Sequence, residues 1–177
     1  MFHRTERLFL RPTWPEDWEA VLGGIADEGV VMNLARVPWP YGPEEAREFV
    51  SRDQDPRRPS FLVIRHDTGQ AIGCAGLGDD NGDIEIGYWL ARPFWGRGYA
   101  TEAARGVLEI ARLLGHQRAR AGHFIDNPAS GRVLRKLGFV PTGEVRERHS
   151  CARGRAVPSI EYALDLDADT EPQMRAA

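Results

Sequence analysis

Lysine is nearly missing from this chain: Lys136 stands alone among 23 basic residues, and all the others are arginine. A phosphate-binding P-loop needs GxxxxGK followed by Ser or Thr, so that motif is excluded outright. Cysteine is scarce as well. Cys74 and Cys151 lie far apart, with no CxxC and no accompanying His cluster, which argues against a disulfide scaffold or a zinc site, and no metal is expected. No apolar run approaches about 18 residues and no charged-then-apolar leader is present, so neither membrane insertion nor export is expected and a reducing cytoplasm is the expected compartment. Excess positive charge is lacking too. A net charge of -3 and a pI of about 6.0 argue against a broad basic surface for nucleic acid. The dominance of arginine itself reads two ways, as coding composition or as a preference for bidentate anion contacts.

What remains is material for one core. At 177 residues and 42% hydrophobic, the chain reads as one domain over residues 1–166 followed by a polar, frayed tail over residues 167–177. Leu8, Phe9 and Leu10 make a first strand closed by Pro12. Thr13 is expected to cap a helix entered through Pro15, with Trp18, Val21, Leu22 and Ile25 as its buried stripe. Pro38, Pro40 and Pro43 forbid regular structure around Trp39 and Tyr41. A second helix starts near Glu44 and buries Ala46, Phe49 and Val50. Strands over residues 61–65 and 71–77 are joined by a turn at residues 67–70, and Asn81-Gly82 turns the chain into a fourth strand. The acidic run at residues 79–83 lacks the DxDxDG spacing of a calcium loop. A fifth strand over residues 118–124, a short helix ending before Gly138, and strands from Phe139 and over residues 159–164 complete the chain. The order β-α-α-β-β-β-α-β-α-β-β predicts an α/β (α+β) fold, a mixed sheet with helices on its faces.

Residues 84–102 are where the other elements converge. Ile84, Ile86, Tyr88 and Leu90 alternate at period two, Pro93 ends the strand, and Trp95-Gly96-Arg97-Gly98-Tyr99-Ala100 runs into an Ala-rich helix start. The first turn of a helix leaves N–H groups without intrahelical partners, with the positive end of the helix dipole behind them. Two glycines there let a phosphate approach the backbone, and Arg97 adds charge. The chemistry says phosphorylated ligand. The dinucleotide fingerprint GxGxxG is not met, since Thr101 stands where its third glycine belongs and the following strand ends in Gly122-His123-Phe124.

The run from Trp95 to Ala103 resembles the acyl-CoA loop of the GNAT superfamily of N-acetyltransferases, in the WGxGYATEA form of its RimJ/RimL-type branch, which includes ribosomal-protein N-terminal acetyltransferases. Trp95 replaces the Gln or Arg of the general pattern. Three further stretches match in order: residues 5–11, Asn127-Pro128-Ala129-Ser130, and Lys136-Leu137-Gly138-Phe139, so the resemblance spans residues 5–166. It implies a mostly antiparallel sheet with helices on both faces and a splay between strands four and five. It also implies acetyl-CoA as co-substrate, and a primary amine, on a protein N-terminus or a small molecule, as acceptor. By the same likeness, backbone at Tyr88, Trp89 and Leu90 faces the pantetheine arm, Gly96, Arg97, Gly98, Tyr99, Ala100 and Thr101 hold the pyrophosphate, and Asn127 and Ser130 line the other side. A homodimer is compatible with it; direct contact with nucleic acid or membrane is not expected.

Attack of an amine on a thioester needs a deprotonated nucleophile, a polarised carbonyl and a proton for the leaving sulfur. Glu85, on the fourth strand, is the candidate base by family position; the alternative is a strand carboxylate facing solvent or paired with arginine. Many relatives carry a Tyr acid seven residues after Asn127, but Leu134 stands there, and Ser130 is the candidate replacement. A helix N-terminal hydroxyl bonded to backbone is its structural alternative. Trp39 and Tyr41 are candidates for the acceptor pocket or for packing, and His123 reads as a packed histidine. An acyl-CoA-binding sensor without catalysis is the competing function; a ribosome-associated binder is opposed by the acidic balance.

Overall fold

Hairpin chemistry sets the middle of the sheet. Asn81 and Gly82 adopt positive φ, 55° and 94°, the turn that matches strand twist and that these two residue types favour. The computed structural model describes residues 1–167. Its strands are β1 (His3–Arg4), β2 (Leu8–Arg11), β3 (Ser60–Arg65), β4 (Ala71–Asp80), β5 (Asp83–Leu90), β6 (Arg118–Phe124), β7 (Val140–Ser150) and β8 (Arg155–Asp165). Its helices are α1 (Trp18–Ile25), α2 (Glu28–Val31), α3 (Pro43–Ser51), α4 (Tyr99–Leu113) and α5 (Pro128–Lys136). The strands form one sheet in the order β1-β2-β3-β4-β5-β6-β8-β7, antiparallel everywhere except between β5 and β6.

Both faces are covered. Alternate residues of β5 divide between two clusters: Ile84, Ile86 and Leu90 pack with α4 residues Ala103, Val107 and Ile110, whereas Trp89 packs with Val21, Ile25, Tyr41 and Val50 on the α1–α3 side. Period-two alternation thus assigns successive β5 side chains to opposite faces. No helix of the described residues is long and apolar enough to cross a membrane. The expected tail lies, from residue 168 on, outside the described residues.

Local expectations fail where a short polar contact competes with the helix. Thr13 does not cap the first helix. Pro15–Asp17 forms a separate 3-10 turn, the Asp17 carboxylate accepts the Trp14 amide at 2.7 Å, and Thr13 Oγ1 instead accepts from Gln54 at 3.3 Å. α2, a single turn capped by Asp27, has no periodicity to announce it. β7 and β8 run well beyond the segments read from the sequence, because most of β7 is solvent-exposed and shows no apolar alternation.

Candidate functional site

β5 and β6 pair only at Ile84↔Ala119 and Glu85↔Arg120. Beyond Glu85 they diverge, so residues 86–90 of β5 are bonded to β4 on one side and have no ladder partner on the other. A peptide edge bared in this way will accept an added extended chain. The gap opens into a cavity of about 720 Å³ lined by Tyr88, Trp89, Gly98, Ala100, Thr101 and Ser130, among others.

At its mouth lies the start of α4. Gly98 is the N-cap, in the left-handed region at φ 82°, and Gly96 is there too at 73°. The first bond along the helix runs from the Glu102 amide to the Gly98 carbonyl at 3.1 Å, so the amides of Tyr99, Ala100 and Thr101 lack partners within it. A Cβ at Gly96 would meet nothing within 4 Å. The cradle is therefore open, and its unbonded N–H groups and helix dipole suit a phosphate.

Arg7, to which the sequence alone assigns no role, braces this loop. Its guanidinium bonds both Glu102 Oε2 (Nε, 2.7 Å) and the Arg97 carbonyl (Nη1, 3.1 Å), and it stacks 4.5 Å from the Tyr99 ring centre. Glu102 also accepts from Thr5 Oγ1 and the Arg7 amide, each at 2.6 Å. Burial pushes the Glu102 carboxyl up, but these bonds outweigh it and hold the group below its ordinary range. The matching stretch at residues 5–11 is thus a clamp that satisfies an acidic side chain in the first turn of α4.

Trp95 fastens the loop from the other end, where its indole N–H donates to the Leu90 carbonyl at 2.7 Å. That bond ties the loop to the end of β5 and takes up one lone pair of Leu90, leaving the edge nearer Tyr88 as the barer part. Arg97 is exposed, beside the lined cavity rather than in it.

On the α1–α3 side, Glu85 faces the cavity and accepts from Arg148 and, at 3.2 Å, from Arg36. Arg148 in turn grips the buried Glu161 with two bonds, 2.8 and 2.6 Å. Its pairing with Glu161 pushes the guanidinium pKa up, against the opposing effect of burial and with Glu85 adding to it. Glu85 is accordingly fixed in place by a chain of charges. Tyr41 is buried and lines this side, and burial pushes its phenol up to about 12. Trp39, 37% exposed, stands outside the lining. Cys74 is buried in the wall, and burial pushes its thiol far above the ordinary range, which disfavours a thiolate nucleophile.

On the opposite wall Asn127 caps α5, its side chain accepting the Ser130 amide at 3.3 Å. Ser130 Oγ lies 2.9 Å from the Tyr88 hydroxyl. His123 is packed under Gly131, with Nδ1 donating to the Phe124 carbonyl at 2.9 Å. The structure thus brings Glu85, Tyr88, Trp89, Leu90, Gly96, Gly98, Tyr99, Ala100, Thr101, Asn127, Ser130 and Tyr41 around one cavity. Sequence reasoning misses Arg7, Arg36, Arg148 and Glu161, since each meets its partner only across a long stretch of chain: Arg7 and Arg36 reach Glu102 and Glu85 from bends outside the sheet, and Arg148 and Glu161 come together on neighbouring strands.

A parted pair of strands with bare helix amides at the mouth of the gap suits a ligand with a phosphate at one end and an extended amide-bearing arm, and comparison with known proteins gives the family. The sequence profile described as Acetyltransferase (GNAT) domain matches residues 7–140. The chain belongs to the GNAT family and is an N-acetyltransferase. It is 29% identical over 168 residues to the N-acetyltransferase p20 of Bacillus licheniformis, covering 90% of this chain and 93% of that one. A GNAT-family acetyltransferase of Bacillus anthracis superposes with a TM-score of 0.82 at 25% identity, over 94% of this chain and 99% of the other. RimL, a ribosomal L7/L12 α-N-protein acetyltransferase solved with coenzyme A, superposes at 0.80 with 22% identity, over 96% and 100%, a likeness of fold.

Proposed function

We propose that this N-acetyltransferase takes acetyl-CoA and passes the acetyl group directly to a primary amine, on a protein N-terminus or a small molecule, with both substrates bound together. The observation that carries this is the unpaired edge of β5 ending at the free amides of Tyr99, Ala100 and Thr101. The amides suit a diphosphate and the edge suits an amide-bearing arm, and the two are continuous along one cavity. A thioester supplies an acyl carbon activated toward amines. The residues around it hold and orient.

Glu85 is assigned to the amine. Two guanidinium groups use part of its acceptor capacity, and a carboxylate has about four lone-pair sites, so it can still accept an N–H from the incoming nitrogen directly or through water. Such a contact removes the amine proton as the C–N bond forms. Ser130 is assigned to the sulfur side, on the wall opposite Glu85. The covered thiol of Cys74 supports direct transfer over a route through a cysteine. Tyr41 is assigned to the acceptor pocket, with Trp39 at its rim. The RimJ/RimL-type loop and N-terminal stretch support that branch and a cytoplasmic setting.

The test is release of free thiol from acetyl-CoA in the presence of a panel of primary amines and N-terminal peptides, with the acetylated product weighed. Turnover with one acceptor class is expected. Failure to bind any acyl-CoA would sink the proposal, and tight binding without turnover for any acceptor would favour a sensor on the same fold.

A further inference from the structure

Among the described residues, the side chain bonded to Ser130 Oγ is that of Tyr88, at 2.9 Å, across the gap between β5 and α5. The family likeness gives Tyr88 a backbone role; its side chain does something else. A phenol is a stronger donor than an alcohol and a weaker acceptor. With Ser130 Oγ at 2.9 Å and the Ser130 carbonyl, its other acceptor, at 3.5 Å, the favoured arrangement is Tyr88 O–H donating to Ser130 Oγ, which leaves the serine proton free to turn into the cavity that both residues line. Asn127 meanwhile fixes the Ser130 backbone through the 3.3 Å cap bond. Leu134, where many relatives carry a tyrosine, is buried and has no proton to give.

We infer that Ser130 meets the leaving sulfur as an oriented, neutral hydrogen-bond donor rather than as an acid, and that Tyr88 is the positioning residue that sets the direction of its O–H. This rests on the acyl-CoA reading above. Burial, partly offset by the bond to Ser130, pushes the Tyr88 phenol up to about 12. Thiols are stronger acids than a phenol so raised, so moving a proton from Tyr88 to a thiolate runs uphill. The protons balance without it. The amine N–H bond breaks as the C–N bond forms and its proton passes to Glu85 directly or through water, the C–S bond breaks to leave a thiolate that takes a proton from solvent, Glu85 returns its proton to solvent, and Ser130 and Tyr88 finish as they began. Their contribution is a hydrogen bond that strengthens as charge gathers on sulfur.

The experiment titrates the thiol of coenzyme A bound to the protein, followed by thiolate ultraviolet absorbance, with binding measured separately by calorimetry. A donor aimed at sulfur should lower the bound thiol's pKa by about one unit relative to free coenzyme A. Ser130→Ala should abolish that shift, Tyr88→Phe should lose most of it, and Ser130→Thr should keep it. Coenzyme A affinity should stay within about threefold throughout, and kcat should fall roughly tenfold or more in the first two variants with KM for acetyl-CoA little changed. Equal titration in wild type, Ser130→Ala and Tyr88→Phe, with binding intact, would overturn the inference while leaving the acyl-CoA reading in place. Should Tyr88→Phe fail to fold, the contrast between Ser130→Ala and Ser130→Thr still decides. Absence of coenzyme A binding by the wild type would overturn both.

Discussion

Replacing Arg7 by Ala should weaken acyl-CoA binding although Arg7 lies outside the lined cavity. The guanidinium makes two 2.7 Å contacts to Glu102 and one 3.1 Å bond to the Arg97 carbonyl, so its removal frees the loop and leaves Glu102 without its counter-cation, held by Thr5 Oγ1 and the backbone amide of residue 7 alone. Charged hydrogen bonds contribute about 1.5–3 kcal/mol each. Arg7 is 43% exposed, so screening discounts the total to roughly 1–2 kcal/mol. That corresponds to a loss of about five- to thirtyfold in affinity. Calorimetric titration of acetyl-CoA against wild type, Arg7→Ala, Glu102→Gln and the double variant would measure it. If Arg7 acts by neutralising Glu102, the double variant should bind more tightly than Arg7→Ala alone. An Arg7→Ala protein with wild-type affinity would refute the clamp, and a double variant no better than Arg7→Ala would show that the Arg97 carbonyl bond, not Glu102, carries the effect.

Glu161→Gln leaves Arg148 with Glu85 alone and should cost about 3 kcal/mol, roughly 10 °C in Tm; an unchanged melt would remove the charge chain from the stability of the site. Arg36→Ala removes a competitor for Glu85 and should lower KM for the amine about two- to fivefold, with weaker salt dependence, whereas a raised KM would mean that Arg36 itself binds the acceptor. Glu102 and Asp17 are both held below their ordinary values of 4.5 and 3.8, burial being outweighed by hydrogen bonds from Arg7 and Thr5 in one and Arg11 in the other. A carboxyl depressed by folding contributes stability that is fully present above its unfolded pKa and is lost as pH falls through the folded one. Urea melts should therefore weaken below about pH 4.5, less steeply in Glu102→Gln; the same slope in the variant would dissociate Glu102 from the effect.

The parts of the fold that announce themselves in the sequence are those with strong local chemistry. Asn81-Gly82 specifies its turn, residues 118–124 form β6 with the bounds expected for the fifth strand, and the two loop glycines take the left-handed conformation that the cradle requires. Long-range electrostatics is what stays hidden. Arg148 is 63 residues from Glu85, and Arg7 is 95 from Glu102; nothing local distinguishes these arginines from the other twenty. Alternation places Tyr88 on its strand, yet the partner of its hydroxyl depends on how far β6 diverges, which no local pattern records. Thr13 shows the reverse failure: a good capping residue is outcompeted because Asp17, four positions on, reaches the Trp14 amide and Arg11 together.

The most direct measurement is a residue-by-residue amide spectrum of the protein with and without acetyl-CoA. Docking along the open strand edge predicts large shifts and slowed exchange confined to the amides of residues 86–90 and of Tyr99, Ala100 and Thr101, with the paired β3–β4 amides unmoved. Perturbation elsewhere, with those amides unchanged at saturating acetyl-CoA, would contradict it.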